Sequence, residues 1–423
     1  MTERANLLDE LAWRGLVYQQ TEGLAAHLAE GPRAVYCGYD PTAPSLHVGN
    51  LVPMMLLAHL GRAGHRIVAL VGGGTALIGD PSGKSVERPL LDTTAADENA
   101  ARIHAQLARV LEAAGARGVK MLDNADWLRE VRLLDFLRDV GKHFSVNFLL
   151  AKDTVQSRLE TGISYTEFSY MLTQAYDFLQ LYTNHGVTLQ VGGADQWGNI
   201  TSGTELIRRA AGGSAHALTA PLLTTSSGKK FGKTEGGAVW LDAAMTSPYQ
   251  FYQFWVNAED ADAGRFLRMF TVLSRPAIDE IERTHAAAPH ERRAQKALAR
   301  EVTTMIHGGE SATLAETVSR IIFDKTANPA DFGNDVFEFL RPEIPGVQTT
   351  RSADGTVDVL SILEGAFGLS RGAGKKLLQQ SAVAVNGVKL GADEASIGAD
   401  RAVHGTWFLV RKGARDIALA RLV

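Results

Sequence analysis

The sequence predicts an α/β chain: a half built on a parallel sheet, a helical region, and a small mixed α+β module at the end. Three observations predict it. Over the first half, short apolar runs alternate with amphipathic stretches, the pattern of parallel strands joined by covering helices. After Ser247 the apolar residues recur at helical spacing instead. From about Ser352 short strand and helix signals crowd together. A chain of 423 residues has room for roughly two or three such domains.

Strands are expected at 35–38, 67–71, 119–122 and 188–191, each a buried-type apolar run. Residues 95–114 read as a helix with Ile103, Leu107, Val110 and Leu111 on one face. Pro53 would break a helix begun at Ser45. A start near Asn50 puts it in the first turn, where its missing N–H costs nothing. The stretch 127–182 holds more large apolar residues than one covering helix needs. It reads in part as a subunit interface, with a thick local core as the alternative. Further helices are expected at 249–256, 263–270, 278–284 and 291–306. The last carries Arg292, Arg293, Lys296 and Arg300, spaced to form a basic face or a solvated surface. Residues 324–350, with Pro329, Pro342 and Pro345, read as a linker. In the tail, helices are expected at 363–367 and 375–380 and strands at 382–385 and 407–411. Nine Lys/Arg against seven Asp/Glu leave it weakly basic.

Composition narrows the class. Apolar content of 45% and charged content of 21% are ordinary for a globular protein. No uncharged apolar run reaches the roughly 18 residues of a membrane span, and Met1–Asn6 lacks the layout of a secretory signal. The single cysteine, Cys37, excludes an intrachain disulfide and a cysteine-based zinc site, which fits a reducing cytoplasm. A net charge of −4 argues against a nucleic-acid coat protein but leaves room for a local basic face.

Four stretches carry chemistry. The first strand runs into Pro41-Thr42-Ala43-Pro44-Ser45-Leu46-His47-Val48-Gly49-Asn50 and then an apolar helix, the place where open α/β sheets bind nucleotides. A neutral His47 there could donate to a phosphate oxygen, and Gly49 would let a ligand approach the backbone. Lys230-Phe231-Gly232-Lys233-Thr234 follows Ser226-Ser227-Gly228 and reads either as a basic turn or as a loop bringing two ammonium groups to a triphosphate. Gly192-Gly193-Ala194-Asp195-Gln196-Trp197-Gly198-Asn199 lies between a strand and a helix. It is either a capped turn or a seat for a ribose, with Asp195 accepting from its hydroxyls. Tyr170, Gln174 and Asp177 share one face of a helix flanked by Phe168, Met171, Leu172 and Phe178, as a lined pocket requires. Gly79-Asp80-Pro81-Ser82-Gly83-Lys84-Ser85 imitates a P-loop but has three residues between its glycines instead of four, so it is rejected as one. Asp80 and Lys84 remain candidates for a site.

Together and in this order, these stretches resemble a bacterial tyrosyl-tRNA synthetase, a class I aminoacyl-tRNA synthetase, over nearly the whole chain. His47-Val48-Gly49-Asn50 looks like the family's HIGH signature, and Lys230-Phe231-Gly232-Lys233-Thr234 like its KMSKS loop in the form common to tyrosyl enzymes. Residues 369–376 and 383–387 are similar to an S4 RNA-binding module. Asn50 departs from the last histidine of HIGH, which implies an altered ribose or phosphate contact. Phe231 and Gly232 depart from the generic Met-Ser, and Gly372 and Gly374 make the S4 helix start unusual. The resemblance implies a Rossmann-like catalytic domain over 1–225, with a helical insertion or dimer region around 125–182. It implies the signature loop and a helical anticodon-binding domain over 226–323, a linker over 324–351, and an S4-like domain over 352–423. It implies that Tyr36 and Asp177 bind the phenol hydroxyl of L-tyrosine, that Tyr170, Gln174 and Asp80 hold its α-ammonium, and that Gln196 lies beside the reacting groups. ATP, carried with Mg²⁺, would meet Cys37, Gly38, Asp40, Thr42, His47, Gly49, Asn50, Gly193, Asp195, Lys230 and Lys233. Lys84 and Arg88 would aid pyrophosphate, with no metal held by the protein itself. The implied partners are tRNA(Tyr) and a second copy of the chain, in the cytoplasm and away from membranes.

The chemistry of the residues agrees. An amino-acid carboxylate is ionised at neutral pH and needs no general base to attack a phosphate, so the protein must position reactants and neutralise charge. Rival readings are a tryptophanyl-tRNA synthetase, a catalytically inactive synthetase-like RNA-binding protein, and a nucleotidyltransferase acting on a small precursor. The Tyr36/Asp177 pair and the S4-like tail favour tyrosine and RNA.

Overall fold

The computed structural model describes residues 7–83, 91–159, 162–226, 231–234, 237–324, 326–413 and 415–423. They fall into two compact units, Met1–Thr246 with Phe254–Ile306, and Ser247–Gln253 with His307–Val423.

The first unit is built on six strands: β1 (Gln19–Gln20), β2 (Ala34–Tyr39), β3 (Arg66–Val71), β4 (Lys120–Asp123), β5 (Val187–Gly193) and β6 (His216–Ala220). Their order is β1-β6-β5-β2-β3-β4. The pairs among β2 to β6 are parallel, and β1 closes one edge antiparallel to β6. From β2 the chain winds outward through β3 and β4, then returns to the other side of β2 as β5 and β6. The reversal leaves a crevice at the carboxyl ends of β2 and β5, where such sheets bind ligands. The four expected strands are present, each a residue or more longer or shifted. The sequence reading places no strand at β1 or β6. Gln19–Gln20 is a two-residue polar edge, and His-Ala-Leu-Thr-Ala has too little β-branched or aromatic character to announce a strand, although its interior is buried.

The helix Leu51–Arg62 follows a single 3₁₀ turn, Val48–Asn50, so Pro53 does sit in the first turn. Leu51, Val52, Met54, Met55, Leu56, Leu57 and Leu60 are all buried, which makes this helix core on nearly every side. The helix Thr93–Ala113 covers the sheet from an Asp92 cap and buries Ile103, Leu107, Val110 and Leu111, the face expected for it. Tyr165–His185 starts at a Ser164 cap and ends at Gly186 in the left-handed region. Its Phe178 and Leu181 pack with Ala34, Tyr36, Val68, Leu70, Val187 and Ile207 against the sheet. The residues ahead of that helix form short helical pieces whose Leu133, Leu134 and Val146 are exposed by 64–78%, and Tyr165 at the helix's own start is exposed as well.

In the second unit a five-stranded sheet runs in the order Val388–Lys389, Val383–Val385, Trp407–Lys412, Asp416–Leu422, Gly346–Thr349. Helices Val359–Phe367 and Arg371–Gln379 close its core over Val383, Val385, Phe408 and Val410. Gly374 passes so near Leu360 that an added Cβ would lie 3.0 Å from its Cδ2, so this glycine serves a helix crossing. The stretch expected as a linker is built into this unit. Gly346–Thr349 is a strand parallel to Asp416–Leu422, and helix Asn334–Leu340 buries Phe337 with Asn334 accepting from the Trp407 indole N–H at 2.7 Å. Its prolines misled because each sits where no N–H is needed: Pro329 opens a 3₁₀ turn, and Pro342 and Pro345 lie between helix and strand. The helix Gly309–Phe323 also escapes the sequence reading, since Gly308-Gly309 reads as a turn.

Candidate active site

The crevice has a buried half and a more open half. In the first, the helix Tyr165–His185 brings Tyr170 to Asp40 after β2, Asp177 to Asn124 and Trp127 after β4, and Gln174 to Asn199 after β5. Asp177 is 2% exposed and accepts from Asn124 Nδ2 at 2.8 Å and Trp127 Nε1 at 2.7 Å. Burial pushes its carboxyl up to about 8 even though both donors pull it down. The Tyr36 ring packs edge-on against Phe178, and its hydroxyl is buried with no hydrogen-bond partner among the described residues. Burial, then the nearby Asp177, holds that phenol well above its usual range, so it remains a donor. One strand over, Gln190 pairs in register with Tyr36 and presents a buried Oε1 that also lacks a partner. Buried polar atoms left unpaired cost about 1–3 kcal/mol each, so two in one pocket point to a polar ligand that completes them.

A chain of hydrogen bonds fixes this half. The Gly74 N–H donates to Asn124 Oδ1 at 2.8 Å, which directs the Asn124 amide protons to Asp177 and to Thr75 Oγ1 at 2.9 Å. Thr75 donates to Asp40 Oδ1 and Tyr170 donates to Asp40 Oδ2, both at 2.7 Å. Gly72 lies so close that any Cβ would fall 2.0 Å from Asp40 Oδ1. Asp40 therefore orients this half of the crevice from the end of β2. Asp80 accepts from Gln196 Nε2 at 2.7 Å and from the Ser82 N–H at 2.9 Å, so the false P-loop is a tight Asp-headed turn. Buried Asn199 gathers the set, donating to Gln174 Oε1 at 3.0 Å and lying 3.2 Å from Gln196 Oε1.

In the more open half, His47 caps the 3₁₀ turn. Its Nδ1 accepts the Gly49 N–H at 3.0 Å, which assigns the proton of a neutral imidazole to Nε2. The His47 N–H donates to Asn50 Oδ1 at 3.0 Å, so the asparagine closes the turn itself. A Cβ on Gly49 would meet the His47 ring at 2.8 Å, so this glycine makes room for the imidazole. Residues 46–48 lie against 239–241, with Val48 N–H donating to Val239 O and Leu241 N–H to Leu46 O. Gly232, at φ 84°, rests on Val48, where a Cβ would lie 2.8 Å from its Cγ2. Thus the two signature stretches touch. Thr42 follows Asp40 at the mouth, and Gly38 is exposed with open space where a side chain would stand. Cys37 is buried beside them, its thiol pushed up to about 12 by burial, and Asp195 adds to that rise. Gly193 leaves the room that Asp195 occupies, since its Cβ would fall 2.6 Å from Asp195 Oδ1.

Lys84, Arg88 and Lys230 lie outside the described residues. Lys233 is placed by its backbone, paired across a short hairpin with Ala238. The structure thus gathers Tyr36, Cys37, Gly38, Asp40, Thr42, His47, Gly49, Asn50, Asp80, Tyr170, Gln174, Asp177, Gly193, Asp195 and Gln196 in one crevice. It adds Thr75, Asn124, Trp127, Gln190 and Asn199, to which the sequence reading gives no role. Only proximity in the fold reveals them, apart from the polar Gln190 in an otherwise apolar strand.

The family model for class I tRNA synthetases of the W and Y type matches residues 28–324. A tyrosine–tRNA ligase of Anaeromyxobacter dehalogenans is 47% identical over 418 residues, 99% of each chain. One from Bacillus caldotenax is 46% identical over 98% of this chain and 99% of its own. Among solved structures, a C-terminally truncated mitochondrial tyrosyl-tRNA synthetase of Aspergillus nidulans superposes with a TM-score of 0.70 at 33% identity, covering 76% of this chain and 95% of its own. A tryptophanyl-tRNA synthetase of Plasmodium falciparum, 12% identical with a TM-score of 0.52, shares the fold. The chain belongs to the class I tRNA synthetases, in their tyrosyl branch.

Proposed function

We infer that this crevice joins L-tyrosine to ATP, releasing pyrophosphate, and then passes the tyrosyl group to the 3′-terminal ribose of tRNA(Tyr). One observation carries the choice of amino acid: the unpartnered Tyr36 hydroxyl beside the buried Asp177 carboxylate. A phenol hydroxyl completes both, accepting from Tyr36 and donating to Asp177. Phenylalanine would leave them unpaired, the discrimination already known for tyrosine-specific synthetases. The indole of tryptophan would bring bulk and no hydroxyl.

The remaining roles follow from position for the described side chains, and from the signature motifs for Lys84, Arg88, Lys230 and Lys233. Asp80, Tyr170 and Gln174 form an acidic and polar cradle for the α-ammonium, with Gln196 beside the carboxylate. The ionised carboxylate attacks the α-phosphate, and its new bond displaces pyrophosphate without a covalent enzyme intermediate. His47 Nε2–H donates to phosphate oxygen as charge develops, with Thr42, Lys230 and Lys233 on the same phosphates and Lys84 and Arg88 on the leaving pyrophosphate. Asp195, Cys37 and Gly193 take the ribose, while Gly38, Gly49 and Asn50 line the nucleotide path. Mg²⁺ enters as part of the nucleotide substrate. In this reading residues 1–225 form the catalytic domain, the helices through 323 face the anticodon, and the tail after 352 contacts RNA. The exposed Leu133, Leu134, Val146 and Tyr165 suit a homodimer interface. Among the described residues no helix is long and apolar enough to cross a membrane, and we place the protein in the cytoplasm.

The test is ATP–pyrophosphate exchange with tyrosine, tryptophan and phenylalanine in parallel. Exchange with tyrosine alone is expected. Exchange with tryptophan would overturn the pocket assignment, and none with any amino acid would overturn the reaction.

A further inference from the structure

One helix grips both limbs of the segment that carries the signature lysines. The helix Asp260–Phe270 places Asp262, Phe266 and Phe270 four residues apart on one face. Asp262 is 2% exposed and accepts the Ser226 backbone N–H, at 2.9 Å to Oδ2 and 3.2 Å to Oδ1. Ser226 Oγ lies 2.9 Å from Glu259 Oε2 and 3.1 Å from Asp262 Oδ2. Arg265 ties the carboxylate to the same limb, donating to Asp262 Oδ1 at 2.7 Å and to Thr224 O at 2.5 Å. On the other limb, the Phe231 ring enters an aromatic cage, with centroids 4.8 Å from Phe266, 5.1 Å from Phe254, 5.4 Å from Trp255 and 5.7 Å from Phe270. The Phe231 N–H donates to Leu223 O at 3.3 Å, closing the neck between the limbs. From there Gly232 reaches the His47 turn through Val48 and Val239. These two anchors come from one helix face and flank residues 227–230 in the sequence.

We propose that Asp262 is a positioning residue for adenylate formation: by holding Ser226 on the helix face that also cages Phe231, it sets the approach of Lys230 and Lys233 to the ATP phosphates. The inference rests on the reading of those lysines as phosphate groups. A buried carboxylate accepting a backbone N–H, a hydroxyl and a guanidinium is a stiff anchor, because each hydrogen bond to a charged group is stronger than a neutral one. Asparagine has the same shape but loses the charge and one acceptor.

The experiment is single-turnover tyrosyl-adenylate formation, with tyrosine affinity measured separately, for Asp262→Asn, Lys233→Ala and the double variant. Asp262→Asn should slow adenylate formation about tenfold, the loss of one charge-assisted hydrogen bond in the transition state, and leave tyrosine affinity unchanged. In the Lys233→Ala background the same change should lose part of its effect, because that part runs through Lys233 and the rest through Lys230. A wild-type rate for Asp262→Asn overturns the proposal. So does a tenfold loss that multiplies fully with Lys233→Ala, or one matched by an equal loss of tyrosine affinity. If Lys233→Ala alone leaves the rate untouched, the lysine reading fails and takes this inference with it. Should Asp262→Asn not fold, Arg265→Gln at a partly exposed position cuts the same tie and should show the same pattern at smaller size.

Discussion

The two halves of the crevice are built by opposite means. The half we assign to the amino acid is a buried lattice in which Gly74, Asn124, Thr75, Asp40 and Tyr170 fix one another, and Asp177 is held by two donors. The half we assign to the phosphates is held by backbone pairing: Leu46 and Val48 against Leu241 and Val239, and Gly232 on Val48. The charged groups we assign to it come from separate segments of the sequence. Selection between two amino acids that differ by one hydroxyl requires unpaired polar atoms in a frame that cannot relax around them. Neutralising phosphate charge requires ammonium groups brought in at the right moment. If the halves are separable in this way, variants in the first should change which amino acid reacts, and variants in the second how fast.

Asp177→Ala should have the largest effect. It removes the acceptor for the substrate hydroxyl and orphans the Asn124 and Trp127 donors, so kcat/KM for tyrosine should fall by about a thousandfold with little change in KM for ATP. Exchange kinetics at varied tyrosine and varied ATP read both quantities, and an equal rise in both KM values would break the separation. Lys233→Ala should come next, with adenylate formation slowed about a hundredfold at unchanged tyrosine affinity. Stopped-flow binding beside rapid quench separates the two, and an unchanged rate would remove the lysine from the mechanism. Truncation after Asp324, which removes the small module together with the helix Asn334–Leu340 and the strand Gly346–Thr349 packed into it, extends the comparison beyond the crevice. Exchange should persist while tRNA charging at low tRNA falls about tenfold; undiminished charging would show that the tail makes no RNA contact that matters.

The sequence made the two halves unequally legible. The phosphate half was readable because its groups are contiguous: His47 to Asn50 and Lys230 to Thr234 are each a short run with a physical signature. Tyr170, Gln174 and Asp177 were readable because helical spacing puts them on one face. Asn124, Thr75 and Asn199 were not, since the partners they join lie about 25 to 120 residues away and no periodicity links them. Asn50 is instructive. As a change in a signature it suggested an altered ligand contact, but its side chain accepts the His47 N–H and closes the turn. Likewise the prolines of 324–351 signalled a linker, because a proline shows where an N–H is missing and not whether the positions around it are packed.

The finest test of the buried half needs no substrate. Burial lifts the Asp177 carboxyl from its ordinary 3.8 to about 8, so between these values the folded protein keeps a proton that the unfolded chain has released. The contribution to stability is therefore whole below about pH 4, declines as pH rises, and is spent by about pH 8. Other groups slope the opposite way. His27, whose ring lies 4.4 Å from that of His216, is pushed from 6.5 to about 4 by burial, and so favours folding more as pH rises through that interval. The difference between wild type and Asp177→Asn isolates the carboxylate. Thermal unfolding without ligands should show Asp177→Asn gaining on wild type by about 4 kcal/mol between pH 5 and pH 8, each pH unit in that interval being worth about 1.4 kcal/mol, with the gap levelling above that. Parallel curves across the range would mean that Asp177 is already ionised in the empty pocket. The pocket would then be wet enough to solvate a carboxylate, and exclusion of phenylalanine would have to come from Tyr36 and Gln190 alone.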